Sequence, residues 1–162
     1  MNARQLKPSP RINEIASLLV PVNGKLLVLP NVTVAEIVPY QDPMPEDDRP
    51  GWYLGRLDWR TQSVPVVSFE GINDEPFISA SPHRRIAILN NVTGDPGLPF
   101  CALVTEGAPR LMRVMADEVL DDPDATPGPA EVARILVAGE RASIPDVAFI
   151  QQQVAALLGA SL

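Results

Sequence analysis

The chain has 162 residues, 46% of them hydrophobic, and a formal net charge of −7. That length and apolar content suit one folded domain of one or two lobes and argue against disorder. The negative balance excludes an electrostatic grip on nucleic acid or anionic lipid, which needs clustered Lys and Arg. Eighteen prolines against ten glycines favour short strands joined by fixed turns.

Residues 1–15 read as a flexible, polar tail, and 16–162 as a single domain of two β lobes. No apolar run approaches the ~18 residues of a membrane span, and the first ten residues lack a signal-peptide core, so the expected location is the cytoplasm. Asn31-Val32-Thr33 and Asn91-Val92-Thr93 spell glycosylation acceptors, read as coincidence without a secretion signal.

Ala16–Val22 and Leu26–Pro30 flank Asn23-Gly24, the strongest local signal for a β-hairpin. Both runs are apolar at successive residues, so these strands should be covered on both faces. Residues 31–38 are rich in β-branched side chains, suiting a strand or short helical turn, and Pro39 stops them. Residues 41–50 read as an exposed acidic, Pro-rich loop, and 51–54 as a helical turn. Leu57-Asp58-Trp59-Arg60 alternates, placing Leu57 and Trp59 on one face and Asp58 and Arg60 on the other. Thr61-Gln62-Ser63 is the expected turn, and Val64–Phe69 the returning strand, with Pro65 marking an edge or bulge.

Residues 71–85 form a second loop. Ile86–Leu89 and Phe100–Val104 are buried strands around a Gly- and Pro-rich turn, and Leu111–Met115 is a further strand. Residues 121–131 carry the most disorder-like composition after the tail. A hairpin around Gly139-Glu140-Arg141 follows. The one clear helix, 146–158, places Val147, Ile150, Val154, Leu157 and Leu158 on one face. The sum is nine or ten short strands and one terminal helix, the pattern of small barrels or a sandwich.

The chain offers little chemistry. His83 is the single histidine, in a polar loop, and Cys101 the single cysteine, in an apolar run. They do not make a zinc set, and no nucleophile-elbow or phosphate-cradling glycine motif is present. The acidic residues Asp117, Glu118, Asp121 and Asp122 lack calcium-loop order. No cofactor or metal is expected. Trp52, Tyr53 and Trp59 crowd near Arg60, and Trp, Tyr and Arg dominate binding hot spots. Core filling accounts for Trp59, whereas Arg60 faces away from it.

From Leu27 to Val67 the residues resemble the CheW-like family, the coupling proteins of bacterial chemosensory arrays. The likeness rests on Leu27-Val28-Leu29-Pro30, then Val34-Ala35-Glu36-Ile37 for the family's Val-x-Glu-Ile. Gly55 to Arg60 stands for its Gly-Val-x-Asn-Leu-Arg-Gly, and Val64-Pro65-Val66-Val67 for its Val-Pro-Val-Val-Asp-Leu strand. The resemblance implies a mainly β fold, two packed five-stranded SH3-like barrels with a short C-terminal helix. It implies a non-catalytic adaptor between a methyl-accepting chemoreceptor and a CheA-type histidine kinase. Val34, Glu36, Ile37, Gly55 and Arg60 fall where the family's contact surface or its support lies.

The chain departs from the pattern at Asp58-Trp59, Thr61 and Ser68-Phe69, where the family has Asn-Leu, Gly and Asp-Leu. Those departures suggest a divergent or auxiliary coupling protein, such as those of type IV pilus systems that drive twitching. The rival expectations are a ligand-binding or hydrolytic barrel using His83, and a structural barrel module unrelated to chemotaxis.

Overall fold

The computed structural model describes residues 14–76 and 81–159. Its strands are β1 (Glu14–Val22), β2 (Lys25–Pro30), β3 (Val34–Pro39), β4 (Tyr53–Trp59), β5 (Gln62–Val67), β6 (Arg85–Asn90), β7 (Phe100–Thr105), β8 (Arg110–Met115), β9 (Val119–Asp121), β10 (Glu131–Val137) and β11 (Glu140–Pro145). The helices are a short α1 (Phe69–Ile72) and a terminal α2 (Val147–Gly159). Residues 1–13 of the expected tail lie outside the described residues, and β1 begins at Glu14, inside the span assigned to that tail.

The strands form two sheets, ordered β8-β1-β2-β11-β10-β9 and β3-β6-β7-β5-β4. In the first, β8 and β9 lie at the two ends of the order yet are separated in the chain only by the 3-10 turn Ala116–Glu118. They are one kinked strand whose first half pairs with β1 and whose second half pairs with β10. The kink closes the sheet, so the first barrel also has five strands, with the kinked one counted twice. β1 and β2 make the expected hairpin, Val22 opposite Lys25, with Gly24 at φ +82° in the turn.

Strands that are apolar at successive positions make sense because the described residues form three apolar cores. Leu19, Val28, Val114, Ile135, Val137 and Ala142 fill the first barrel. Leu57, Val64, Val66, Ile86, Ile88, Ala102 and Val104 fill the second. The alternate residues of the same strands, Val20, Leu27, Leu29, Val67, Ala87, Leu89, Cys101 and Leu103, pack together in a seam between the sheets. A strand with one face in a lumen and the other in the seam has no solvent side to show. Cys101 is thus a buried seam residue whose thiol is pushed up to about 12 by burial, partly offset by Gln151.

Three expectations shift. Phe69 does not extend β5: Ser68 caps α1, its Oγ accepting from the Gly71 N–H at 3.0 Å, and Phe69 turns into the seam. Residues 51–54 are not helical, since Tyr53 already starts β4. Residues 121–131 are ordered by Asp122 and Glu131, both buried; Pro-rich composition hid two carboxylates with partners. The stretch 71–85 is a loop only after α1, and Phe77–Ala80 within it lie outside the described residues.

Glu131 belongs to a polar clamp between the sheets. Its Oε2 accepts from Lys25 Nζ of β2 at 2.8 Å and from Arg134 Nε at 2.9 Å, and its Oε1 from the Gly128 N–H at 2.7 Å. Glu75, just past α1, pairs with both Lys25 and Arg134. Burial raises the Glu131 carboxyl, but the Gly128, Lys25 and further hydrogen bonds outweigh it and hold it at about 2. The folded chain therefore binds this proton less readily than the unfolded one. The stabilisation is full above pH 4.5, the ordinary value, and drains away as pH falls toward about 2. Glu131→Gln leaves Glu75 as the one carboxylate for both Lys25 and Arg134 and is expected to cost about 2–3 kcal/mol near neutral pH. It should also flatten the stability profile over that acid window, read by chemical denaturation at a series of pH values.

Candidate functional site

The second sheet has β3 and β4 at its two edges, with no ladder between them among the described residues. Side chains join them instead. Trp59 at the end of β4 donates its indole N–H to Glu36 Oε1 of β3 at 2.8 Å. The same oxygen lies 3.1 Å from an Arg60 guanidinium nitrogen. The guanidinium also sits 5.0 Å from the centroid of the Trp59 ring, and that ring meets Phe100 edge-on at 4.9 Å. Trp59 is thus both lumen and site: it packs against the second barrel's core and carries the hydrogen bond that seals it.

Arg60 is not on a strand end. Trp59 pairs with Gln62, so Arg60-Thr61 is a two-residue hairpin turn rather than the expected 61–63. Both residues take positive φ, +48° and +62°. This geometry favours Asn-Gly, and for a β-branched Thr it is strained by about 1–2 kcal/mol. The Arg60 side chain is 69% exposed, and Glu36 and Trp59 hold one side of its guanidinium. Because the pair is largely solvated it adds little to stability, at most about 1 kcal/mol, and its consequence is orientation. The carboxylate partner of Arg60, Glu36, comes from β3 at the opposite edge of the sheet.

The structure brings Glu36 and Arg60 together; the other three candidates stand around them. Val34 and Ile37 flank Glu36 on β3 and lean on the seam core, half-buried. A bulge between Val34 and Glu36 re-aims the strand there. Gly55 is buried at φ +130°, in a second bulge, and a Cβ on it would lie 2.1 Å from the Met44 carbonyl oxygen. Its role is to let the 41–52 loop lie against β4, where Met44 and Arg56 exchange backbone hydrogen bonds at 2.8 and 3.0 Å.

That loop is stapled rather than free. Glu46 accepts from Tyr53 Oη at 3.0 Å, Arg56 Nε at 2.9 Å and Arg49 Nε at 3.1 Å. Burial opposes the charge on Glu46, yet those three donors hold its carboxyl below the usual range. Arg49 also donates to the Leu157 carbonyl at 3.2 Å, tying the loop to the end of α2.

His83 lies exposed in a turn, its backbone N–H donating to Ser81 Oγ at 3.1 Å, with no carboxylate at ion-pair distance among the described residues. No cluster of three His, Cys, Asp or Glu among the described residues is placed to hold a metal. No helix among them is long and apolar enough to cross a membrane. Sequence reasoning missed Gln151, buried on α2, although it shares the helical stripe of Val147, Val154 and Leu158. A lone amide at i, i+4 and i+7 spacing on an apolar face was the signal.

The family model of the CheW-like domain matches residues 16–154. No curated protein matches the chain. Among solved structures, the crystal structure of the scaffolding protein TtCheW from Thermoanaerobacter tengcongensis superposes with a TM-score of 0.68 at 16% identity. The match spans 81% of this chain and 88% of that one. At that identity the likeness bears on the fold, two SH3-like barrels.

Two substitutions should move stability in opposite directions. Gly55→Ala puts a methyl into the Met44 carbonyl at a φ that L residues avoid, and should cost about 2–3 kcal/mol. Thr61→Gly relieves a positive φ and should gain about 1 kcal/mol. Urea denaturation of the two variants checks both signs.

Proposed function

Because the chain belongs to the CheW-like domain family, we propose that it is a non-catalytic adaptor of a bacterial chemosensory pathway, joining a chemoreceptor to a CheA-type histidine kinase. The observation that carries the reading is the clasp on the second barrel. One carboxylate, Glu36, holds an indole and a guanidinium at once, and leaves Arg60 displayed beside the bulged strand of Val34 and Ile37. An arginine whose guanidinium is held on one side and exposed on the other suits recognition of a carboxylate or a helix C-terminus on a protein partner. The half-buried aliphatic residues beside it suit an apolar contact.

The clasp binds nothing covalently and moves no proton. Its work is pre-organisation: fewer rotamers of Arg60 are lost when a partner arrives, so more of the contact energy appears as affinity. The charge sets specificity and association rate more than total affinity. A cytoplasmic location follows from this role. Thr61, Trp59 and Ser68-Phe69 in place of the family's residues fit a divergent or auxiliary coupler, such as one of a type IV pilus system.

Arg60→Glu is the direct test. It should leave the circular dichroism spectrum and the melt unchanged, since the pair contributes little stability. Capture of a receptor cytoplasmic fragment or of the kinase should fall by about tenfold or more, because a repelled charge faces Glu36 and the partner alike. Undiminished capture of both would reject this face as the contact surface.

A further inference from the structure

α2 follows the first barrel in the chain, yet one of its side chains grips the second. Gln151 is 1% exposed. Its Oε1 accepts from the Val92 N–H at 2.8 Å and its Nε2 donates to the Asn90 carbonyl at 2.8 Å. A planar amide offering donor and acceptor ties the last residue of β6, which is also paired with Phe100 of β7, to the loop that starts at Val92, and fixes the tilt of that strand end. The strand end passes the restraint on. Asn90 donates through its own Nδ2 to the Val32 carbonyl at 3.0 Å. Val32 lies in the 3-10 turn Asn31–Thr33 that leads directly into β3, where ladder pairing starts only at Val34 opposite Leu89.

The lead-in to β3 therefore has little of its own to hold it. The 3-10 turn has no buried residue and no side-chain cap, and Val32 is 83% exposed. Its one backbone bond inside the turn runs from the Val34 N–H to the Asn31 carbonyl. Past it come the bulge at Ala35 and then Glu36. Val34 is paired with Leu89 and leans on the seam core, so a shift in the turn reaches Glu36 through Val34 and across the bulge at Ala35.

We propose that Gln151 is a positioning residue for the partner-binding face: through Asn90 it adjusts the approach of β3, and so couples the terminal helix, whose apolar face packs in the seam, to the clasp on the second barrel. This rests on the adaptor reading above for what the face does, and not for the restraint itself. The polar signal is directional. Disturbing Gln151 loosens Val92 and residues 31–34 together, whereas disturbing the Asn90 side chain loosens 31–34 and leaves Val92 held.

The test uses the full chain with Gln151→Met, which keeps volume and removes both hydrogen bonds, and with Asn90→Ala, which cuts only the outer link. Amide hydrogen exchange is read at Val92 and over residues 31–34, with capture of a chemoreceptor cytoplasmic fragment read in parallel. Gln151→Met should raise exchange about tenfold or more at Val92 and over 31–34, and weaken capture by about tenfold. Asn90→Ala should raise exchange over 31–34 alone and weaken capture likewise. Parental exchange over 31–34 in either variant overturns the proposal. So does unchanged capture by both when Arg60→Glu loses it. If Gln151→Met fails to fold, Asn90→Ala decides. If Arg60→Glu keeps capture, the adaptor face is wrong and the exchange pattern alone judges the restraint.

Discussion

Burial of strands on both faces is the constraint from which the rest follows. A small barrel has room for one layer of side chains inside, and a strand that also lines a seam must be apolar outside as well. Val20 with Leu19, Val28 between Leu27 and Leu29, and Ile86 to Leu89 divide their side chains between a lumen and the seam. Each fully buried Leu or Ile contributes about 2 kcal/mol, and the seam adds that gain to two barrels whose own cores are small. Apolar contact is non-directional, however, and would let the barrels slide. Two polar ties remove that freedom. Lys25, Arg134, Glu75 and Glu131 form one; Gln151 on the Asn90–Val92 backbone forms the other.

The same economy governs the candidate site. The second sheet shows no ladder between its edge strands β3 and β4 among the described residues, and Glu36, Trp59 and Arg60 join them by side chains instead. The arrangement accepts backbone strain at Arg60-Thr61 and a close approach at Gly55. The strain is kept where a charged group is displayed rather than in the cores. Membership in the CheW-like domain family accounts for the two-barrel fold that carries this arrangement.

Much of this was legible in the residues. Asn23-Gly24 declared its hairpin, and unbroken apolar runs declared strands with two buried faces. The Glu36 and Arg60 candidates came from pattern and resemblance, and the fold places them in contact. What the sequence could not carry was pairing at a distance. Glu36 is twenty-four positions from Arg60, and no local rule links them. Residues 121–131 looked loose because Asp122 and Glu131 find their partners on β10, β11 and β2. Phe69 looked like strand because a serine cap outweighs one more apolar residue. The turn slipped by one because Thr is a poor choice at positive φ, and propensity points away from it.

The central claim is that this chain acts through the β3 face and the Arg60 turn. The most direct measurement is amide chemical-shift mapping of the labelled chain during titration with a receptor cytoplasmic fragment and, separately, a kinase regulatory domain. The account predicts saturable shifts concentrated at Val34–Ile37 and Trp59–Thr61 with at least one of the two. Saturable shifts that leave both segments untouched, or no shifts with either partner at millimolar concentration, would contradict it.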